Sequence, residues 1–597
     1  MQQQPYIQVI LPLRLDWEPY YLCEAPVGIG DRVAVPFAGR TYIGVVSATG
    51  VTPSVAAVKS VLSVETGLEK VLPEEIALWR QMARYYLCTS GEIYRAAHPL
   101  GATADEEKAA RWRAELERRL EAKETQLPRT RTGTKKEAAL REGIARLREQ
   151  LGADALPRET VRAGSVTETP VAIRVREALS EGRTVLLEER DDAARTAVYL
   201  SLATRTLSEG RSVLWLVPDN ATLSQVESAV LQAVPEALCL DGRRTAAARR
   251  KIAASVRGSG PYLVLGTRAA LLLPHHGLAL VIVDGEHERA YKQESPAPRY
   301  NGRDTALMLA RLQGASALIG SATPSLDSLY NVRTGRYVFI RPEEGTAPHE
   351  VLLINTTAEK RKRGMDGELS FKLLEAISGQ GGRTLVLLPR SGFDPEGQIA
   401  GALAARFPGD RRILCSHLGA VSLQDFEDVS LICMLYADAL LSRDDFRADE
   451  RTLQILRTLQ FKAPLAIQAK NTDHPVFQAL VSGSDGTDIL LDERKAFGYP
   501  PLKRMIRIVL HDNAPKRLEY LARQLSARLS AAVGEACVSS PYAPARDEDG
   551  TVRHIRILLP RDATLEQRKR ALVAAVTAFE KETRYAGHIV IDVDPIG

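Results

Sequence analysis

The sequence of 597 residues has few cysteines and no C-x₂-C pair; the six positions are Cys23, Cys88, Cys239, Cys415, Cys433 and Cys537. Scattered cysteines encode neither a zinc ribbon nor a disulfide framework, so we expect them to be small buried hydrophobic residues. The chain also lacks an apolar run of the roughly 18 residues that a membrane span requires. Its start, residues 1–13, has no basic region and no cleavage site typical of a secretion signal. These absences predict a cytoplasmic protein.

Excess charge of either sign is also small. Lysine and arginine number 79 and aspartate and glutamate 74, so the net charge is +5. A mildly basic balance permits a nucleic-acid partner without demonstrating one. The hydrophobic content of 45% and the charged content of 26% are ordinary for a soluble globular protein, and the length predicts roughly three to five domains.

A third absence concerns a nucleotide-binding loop. Residues 184–199 read TVLLEERDDAARTAVY, which has the strand, turn and helix register of such a loop without its glycines and lysine. A phosphate loop wraps glycine-rich backbone N–H groups around phosphates, while a lysine reaches the terminal phosphates and a Ser or Thr hydroxyl binds Mg²⁺. Here Arg195 stands at the lysine position, Thr196 keeps the hydroxyl, and Glu189 and Ala194 occupy the glycine positions. We interpret Arg195 and Thr196 as a vestigial cofactor site. An acidic loop joining a strand to a helix remains the alternative.

The negative charge of this turn can be weighed against nucleotide affinity. Its acidic residues are Glu188, Glu189, Asp191 and Asp192. One like-charge contact at about 4 Å costs on the order of 4 kcal/mol at an effective dielectric near 20, and millimolar binding is worth only about 4 kcal/mol. A single misplaced carboxylate would therefore cancel ordinary ATP affinity.

Short apolar runs alternate with helical patterns through the middle of the chain. They lie at residues 183–187, 212–217, 262–265, 278–283 and 317–319, and a second set lies at 383–388, 412–414, 430–436 and 465–468. This rhythm predicts two doubly wound parallel sheets in series. Before them, the sequence predicts strands over 27–37 and 42–46, a helix over 73–97 and a charged helical arm over 104–151. The last hundred residues have an α+β pattern ending in a strand over 589–593.

The strand at residues 281–287, VIVDGEH, is the second candidate for nucleotide chemistry. An apolar strand that ends in an acid is typical of a Walker B element, whose acid holds Mg²⁺, and Asp284 fills that position. Gly285 stands where the glutamate that polarises the attacking water belongs. General-base catalysis contributes about 10²–10⁴ in rate, so the loss of this base together with the loss of the phosphate loop predicts negligible turnover. Any strand can end in Asp, so this motif alone decides nothing.

The neighbouring motifs stand in a characteristic order. They are GTRAAL at 266–271, DGEH at 284–287, YKQ at 291–293, RY at 299–300, RD at 303–304 and GSATPS at 320–325. Further along are DFRADERT at 445–452, HP at 474–475, GYPP at 498–501 and DVDP at 592–595, and near the start YYL at 85–87 with GE at 91–92. This series resembles the primosomal replication-restart helicases, the PriA family. The resemblance implies an α/β fold with two tandem RecA-like helicase lobes, an N-terminal β-rich DNA-binding domain and a C-terminal α+β domain.

On this resemblance we assign five domains. Residues 1–100 form an N-terminal 3′-DNA-binding-like domain, and 101–167 a charged arm in place of a winged-helix region. Residues 168–345 form helicase lobe 1, 346–485 helicase lobe 2, and 486–597 the C-terminal domain.

The departures from the family pattern concern ATP and metal binding. The phosphate loop is absent, DEEH has become DGEH, and Pro389–Phe393 runs into residues 397–399 without the cysteines that bind two zinc ions in the family. The helix with the QVAGRAGR motif is missing after Leu456, and Ser422 replaces the lysine of the GTQM.AKGHDF segment. We therefore expect no intact catalytic residues, with Asp284, Glu286 and His287 as vestiges, and neither ATP–Mg²⁺ nor zinc as cofactors.

Basic and aromatic residues near the motifs are the candidates for DNA contacts, because phosphates bind cations and unpaired bases stack on aromatic rings. They are Arg32, Arg40, Tyr42, Lys292, Arg299, Tyr300, Lys503, Arg504, Arg507 and the run Lys360–Arg363. A solvated surface is the alternative for each. Tyr20, after Pro19, stands where the family has an acidic residue that grips a DNA 3′ end.

The sequence thus predicts a replication-restart protein that recognises forked DNA or single-strand/double-strand junctions without ATPase activity. Other primosome proteins and single-stranded-DNA-binding protein are its expected partners, and no membrane is. Two alternatives stay open: an active ATP-dependent 3′→5′ DNA helicase, and a protein-interaction scaffold that binds no DNA.

Overall fold

The computed structural model describes residues 6–55, 57–98, 122–123, 167–242, 246–343, 347–421, 426, 428–441, 445–544, 547, 549–583, 585 and 588–596. Contacts divide the chain into two compact units. The first comprises Met1–Leu187, Ala193–Gly320 and Ile591–Val593, and the second comprises Glu188–Asp192, Ser321–Val590 and Asp594–Gly597. The predicted charged arm lies outside the described residues apart from 122–123, and so does Ser422.

The N-terminal part is β-rich, as predicted. Its strands are β1 (Tyr6–Ile10), β2 (Tyr20–Leu22), β3 (Arg32–Phe37), β4 (Arg40–Thr49), β5 (Lys59–Ser60) and β6 (Ser63–Val64), in the sheet order β5-β2-β1-β4-β3-β6. Ala38 and Gly39 connect β3 to β4 with φ angles of +48° and +77°. Two positive φ angles form the type I′ turn that matches the strand twist, so this hairpin places Arg40 at its exposed tip.

The helix predicted over residues 73–97 is two helices, α1 (Pro73–Tyr86) and α2 (Ser90–Ala97). Leu87 ends α1 in the left-handed region with φ +54°. Thr89 then caps α2, because its side chain accepts from the Glu92 N–H while the Glu92 side chain accepts from the Thr89 N–H. This reciprocal capping box satisfies two backbone donors at once. A new helix therefore begins after Thr89, although the apolar stripe predicted one continuous helix.

The first parallel sheet follows the predicted alternation. Its elements are α3 (Pro170–Ser180), β7 (Thr184–Glu188), α4 (Asp192–Ser208), β8 (Ser212–Leu216), α5 (Asn220–Ala233), β9 (Leu238–Leu240), α6 (Ala246–Arg257), β10 (Leu263–Gly266), β11 (Leu278–Asp284), α7 (Gly302–Gln313) and β12 (Ser316–Ser321). The strands are ordered β7-β12-β11-β8-β10-β9. The pairings β8/β10, β9/β10, β8/β11 and β11/β12 are parallel. Strands covered on both faces are apolar throughout, which explains the fully buried runs in β8, β10 and β11.

The second unit repeats this architecture. Its elements are α8 (Leu326–Arg333), β13 (Tyr337–Ile340), β14 (Val351–Asn355), α9 (Thr356–Lys362), β15 (Met365–Asp366), β16 (Leu369–Ser370), α10 (Phe371–Ser378), β17 (Arg383–Leu388), α11 (Gln398–Arg406), β18 (Ile413–His417), β19 (Val429–Met434), α12 (Asp438–Leu441), α13 (Ala448–Lys462) and β20 (Leu465–Ala469). The sheet order is β14-β20-β19-β17-β18. All four of these neighbouring pairs are parallel.

The C-terminal part is α+β. It contains α14 (Pro475–Ser482), α15 (Thr487–Phe497), β21 (Lys503–His511), α16 (Pro515–Val533), β22 (Val552–Pro560), α17 (Leu565–Thr583) and β23 (His588–Val593), with strand order β22-β21-β23. The predicted fold class, two parallel-sheet lobes between a β-rich N-terminal part and an α+β C-terminal part, is confirmed. The five domain boundaries stay a prediction.

The structure bears on two expectations from the composition, the burial of the cysteines and the lack of a membrane-spanning segment. Cys23, Cys239 and Cys433 are buried as predicted, whereas Cys88, Cys415 and Cys537 are partly exposed. Among the helices in the described part of the chain, none combines the length and apolar character needed to cross a bilayer.

A buried histidine in the first unit should make its stability depend on pH. His275 Nε2 donates to the Ala270 carbonyl at 2.8 Å, and burial lowers the pKa of His275 to about 4. The unfolded chain takes up this proton near pH 6.5, whereas the folded chain does so only near pH 4. Stability is therefore complete above pH 6.5 and falls by about 3 kcal/mol as the pH drops to 4. Melting temperatures of the wild type and His275→Phe between pH 7 and 4 test this, and an equally steep decline in the variant would contradict it.

Candidate nucleotide and nucleic-acid sites

The turn after β7 is held by its own side chains. The Asp191 N–H donates to Glu189 Oε1 at 3.0 Å, and the Glu189 N–H donates to the Ser321 carbonyl at 3.1 Å. Glu188 Oε1 accepts from Arg190 Nη2 at 3.0 Å. A phosphate-binding loop offers such backbone N–H groups to an anionic ligand. In this turn, oxygen atoms of the protein itself accept hydrogen bonds from two of the backbone N–H groups. One of these oxygens belongs to the carboxylate of Glu189, which occupies a glycine position of the phosphate-loop motif.

Arg190 adds a second constraint on the same turn. Its guanidinium carbon lies 3.9 Å from the ring centroid of Phe461, at the end of α13. A guanidinium over an aromatic face is attracted by the ring quadrupole. Both residues belong to the second unit, so this contact fixes the turn to α13 within that unit.

Arg195 and Asp284, the two vestigial nucleotide residues, bind each other. Arg195 Nε donates to Asp284 Oδ1 at 2.7 Å, and the Tyr199 hydroxyl donates to the same oxygen at 3.2 Å. Arg195 is 8% exposed and Asp284 2% exposed. Burial, and then the charge of Asp284, raise the pKa of Tyr199 well above its usual value, so this phenol stays protonated as a donor. The acid at the Walker B position is therefore neutralised inside the protein.

The backbone explains how the pair forms. Arg195 lies in the first turn of α4, and Asp284 ends β11. Gly320 on β12 makes room for the phenol, because a Cβ at this position would come within 1.8 Å of the Tyr199 hydroxyl. The Tyr291 hydroxyl donates to the Asp284 carbonyl at 2.6 Å and holds the strand end from the other side.

The backbone conformation explains why a glycine occupies position 285. Its φ is +60°, which L side chains rarely adopt, and a Cβ there would lie 3.4 Å from side-chain carbons of both Pro218 and Glu288. A glutamate at this position would be strained. The backbone conformation at Gly285 therefore disfavours the glutamate that would act as the general base.

The other vestigial residues are also engaged. Glu286 Oε2 lies 2.8 Å from Arg303 Nη1, and its side chain is fully buried. His287 Nε2 lies 3.4 Å from Glu288 Oε1. Burial lowers the pKa of His287, but the hydrogen bond and charge of Glu288 outweigh this, so its pKa is raised. Thr196 is half-buried on α4, and its role stays a prediction.

Four of the predicted DNA contacts, Arg32, Lys292, Tyr300 and Arg504, have buried side chains, and their contact with DNA stays a prediction. Arg32 donates from Nη2 to the Tyr94 hydroxyl at 2.7 Å and stacks over that ring. The Tyr300 hydroxyl donates to the Arg268 carbonyl at 3.1 Å, and burial raises the pKa of Tyr300 to about 12.

The two other buried candidates are paired with the C-terminal DVDP segment. Lys292 is 4% exposed and lies 2.8 Å from Asp592 Oδ1, and Arg504 is paired with Asp594. Carboxylate partners bury basic side chains that otherwise stay in water.

The remaining candidates are at least partly accessible. Arg40 is exposed, and Tyr42, Arg299, Lys503 and Arg507 are half-buried, while Lys360–Arg363 lie exposed on and after α9. Their contacts with DNA stay predictions. Sequence reasoning missed Trp17, an exposed ring 6.2 Å from Phe37 in the N-terminal part. Its only signal was a large aromatic residue in a polar segment.

Comparison with known proteins shows similarity to replication restart proteins. Residues 8–99 match the family model PriA 3′BD, described as a 3′DNA-binding domain. The replication restart protein PriA of Chlamydia pneumoniae is 31% identical over 226 residues, which is 36% of this chain and 30% of that protein. About a third of the chain is therefore similar in sequence to PriA proteins.

Two further PriA relatives show how the likeness is distributed. The Haemophilus influenzae protein is 32% identical over 214 residues, covering 35% of this chain and 29% of that protein. The Rickettsia felis protein is 23% identical over 385 residues, covering 63% and 52%. The aligned part thus spans about a third to a half of the length of these curated PriA proteins.

Two solved structures match parts of the chain at low sequence identity and low TM-score. RecG bound to a three-way DNA junction is 14% identical, with a TM-score of 0.35, over 59% of this chain and 48% of that one. Yeast Dbp5 in complex with Gle1 is 13% identical, with a TM-score of 0.32, over 57% and 94%.

Proposed function

We propose that this chain is a PriA-family replication-restart protein that binds branched DNA and serves as a scaffold for primosome assembly without hydrolysing ATP. The observation that carries the proposal is the Arg195–Asp284 ion pair of 2.7 Å. It joins the position that should hold phosphates to the position that should hold the metal ion. A cytoplasmic location accords with this role.

The residues at the nucleotide site do not suit ATP and Mg²⁺. Mg²⁺ takes carboxylate oxygens in near-octahedral geometry, yet Asp284 Oδ1 already accepts from Arg195 and Tyr199. A metal ion at Asp284 would stand beside a buried guanidinium, and like charges at such distances repel by several kcal/mol, about 4 kcal/mol at 4 Å. Within the described ranges, no group of three or more His, Cys, Asp or Glu side chains could hold a metal ion. We propose that the protein works without nucleotide or zinc.

Support for DNA as the partner comes from the N-terminal part. Residues 8–99 match a 3′DNA-binding domain, and the hairpin tip in this segment exposes Arg40 beside Tyr42. A cation next to an aromatic ring suits a phosphate next to an unpaired base. We propose forked or junction DNA as the ligand, with primosome proteins and single-stranded-DNA-binding protein as partners.

ATP hydrolysis on forked DNA tests the proposal. We expect turnover of the wild type to equal that of Asp284→Asn, because neither protein has a free acid to hold Mg²⁺. Phosphate release would be measured with and without a saturating DNA fork. Turnover that exceeds the background and disappears in folded Asp284→Asn would instead establish an active ATPase and contradict the proposal.

The salt dependence of fork binding distinguishes the proposed DNA-binding protein from a protein-interaction scaffold that binds no DNA. Phosphate contacts release counterions, so affinity should fall steeply as the salt concentration rises. An absent or salt-independent interaction with forks would favour a scaffold that binds only proteins.

A further inference from the structure

The second unit contains a cavity of about 320 Å³. Its wall comes from the turn after β7, the segment after β12, α8, β13, α13 and α15, all of which belong to that unit. Small-molecule sites typically have about 300–1,000 Å³ and a largely apolar lining. The apolar part of this wall includes Leu326, Leu329, Phe339, Leu453 and Leu490. The cavity therefore has the size and the lining that suit a small organic molecule.

One arginine on the wall has only neutral hydrogen-bond acceptors. Arg457 of α13 is 8% exposed. Its Nη1 donates to Gln460 Oε1 at 3.0 Å, and its Nη2 donates to the carbonyls of Ala479, at 3.2 Å, and Ser484. Within the described part of the chain, no carboxylate lies at ion-pair distance from this guanidinium. Because buried charges are normally paired, the wall carries a positive charge that no carboxylate neutralises at contact distance.

The more distant charges do not offset this one. Burial lowers the pKa of Arg457 and the charge of Arg190 lowers it further, whereas Asp485 and Glu188 oppose that fall from beyond ion-pair distance. Each of these two carboxylates has another partner. Glu188 lies 3.0 Å from Arg190 Nη2, and Asp485 accepts from the Thr487 N–H at 2.9 Å. An anion in the cavity beside Arg457 would supply a counter-charge at contact distance.

The carboxylates of the wall limit how much negative charge the cavity admits. Glu188, Glu450 and Asp485 all line it. Glu450 lies 3.1 Å from Arg494 Nη2 and accepts from the Leu326 N–H at 2.9 Å. Like charges repel strongly where protein replaces water. A polyanion would therefore face three carboxylates, whereas one negative charge at Arg457 gains an attraction that is not already taken.

Two hydroxyls of the wall are further hydrogen-bonding groups. Thr323 and Thr487 are buried and line the cavity. Among the residues that the structure describes, neither Oγ1 has a hydrogen-bond partner. Buried polar atoms without a partner are rare in folded proteins. Rotation about χ1 moves a hydroxyl between staggered positions, so either group could donate to an oxygen of a bound molecule.

We propose that this cavity binds a small organic monoanion, which is a molecule with an apolar body and one carboxylate-type group. The anionic group lies at the guanidinium of Arg457, and the apolar body packs against the leucines and Phe339. A neutral molecule of the same shape would fill the volume but leave Arg457 without a counter-charge. The site goes beyond the proposed function and does not depend on DNA binding.

Two fluorescent probes that share one ring system test the charge requirement. 8-Anilinonaphthalene-1-sulfonate carries one negative charge, and N-phenyl-1-naphthylamine is its uncharged counterpart. We expect the full chain to bind one molecule of the sulfonate, roughly tenfold or more tighter than the amine, because hydrogen bonds to charged groups are the stronger ones. Octanoate should displace the sulfonate, whereas octanol at the same concentration should not.

Two variants place the binding in this cavity. Arg457→Gln should weaken sulfonate binding roughly tenfold or more and leave the affinity for the amine unchanged. Leu329→Trp should abolish binding of both probes, because the larger ring fills the cavity while Arg457 stays in place. Leu231→Trp, at an exposed leucine of α5 in the first unit, is the matched control and should bind both probes as the wild type does.

Melting temperatures from circular dichroism show whether each variant is folded. If Arg457→Gln does not fold, the probe pair on the wild type and on Leu329→Trp still decides the matter. Equal affinity of the wild type for the two probes would overturn the proposal, and so would unchanged binding in folded Leu329→Trp. Displacement of the sulfonate by ATP but not by octanoate would also overturn it, because the cavity would then hold a nucleotide.

Discussion

Replacing Arg195 with methionine should destabilise the first unit by about 3–5 kcal/mol, because it leaves the Asp284 carboxylate buried without its cation. The carboxylate is 2% exposed, so water cannot take over the role of the guanidinium. Three of the four tryptophans of the chain, Trp17, Trp79 and Trp215, belong to the first unit, and Trp112 lies outside the described residues. Denaturant unfolding followed by tryptophan fluorescence therefore reports on the unit that contains the pair.

Arg195→Met with Asp284→Asn is the matched control. The double variant should recover most of the lost stability, since a neutral amide costs far less to bury than an unpaired charge. Asp284→Asn alone should be destabilising, because it leaves the Arg195 guanidinium buried. If Arg195→Met kept full stability but altered nucleotide binding, Arg195 would be a ligand-binding residue, and the interpretation of the site as inactive would fall.

The strands of both parallel sheets were predictable from sequence because strands buried on both faces are continuously apolar. The run over 278–283 became β11 at Leu278–Asp284, and 383–388 became β17 at Arg383–Leu388. The break between α1 and α2 was missed although its signal was present. Thr89 and Glu92 have the T-x-x-E spacing of a capping box, but the apolar stripe of α1 appeared to continue across it.

The candidate site was predictable in its positions and not in its contacts. The order of the motifs located Arg195 and Asp284. The hydrogen bond between them joins residues 89 positions apart, so no local sequence pattern predicts it. The same limit explains the four buried DNA candidates. Lysine and arginine are mostly exposed, and only the folded chain brings Lys292 and Arg504 to carboxylates of the DVDP segment.

Replacing Lys292 with methionine should also cost about 3–5 kcal/mol, without changing the salt dependence of DNA binding. Lys292 Nζ lies 2.8 Å from Asp592 Oδ1 and donates to the carbonyls of Arg299 and Val593 at 2.7 Å each. The variant would remove the ammonium group beside the Asp592 carboxylate and the hydrogen bonds that this group donates to both carbonyls. The same tryptophan-detected unfolding measures the loss of stability, and fork binding at several salt concentrations measures the slope.

Asp592→Asn distinguishes the two roles that a lysine in the YKQ motif could have. If Lys292 is a structural anchor for Ile591–Val593, Asp592→Asn should lower stability in the same direction, because it leaves the ammonium group buried without its counter-charge. The two changes combined should cost less than their sum, since each removes the same ion pair. If Lys292 contacted a phosphate, Lys292→Met would flatten the salt slope by about 0.9 on duplex DNA, and Asp592→Asn would leave affinity equal or higher. Lys292 would therefore be assigned to the attachment of Ile591–Val593 if two results are obtained. The stability losses of the two variants should be large and non-additive, and the salt dependence of DNA binding should be the same in the wild type and the variants.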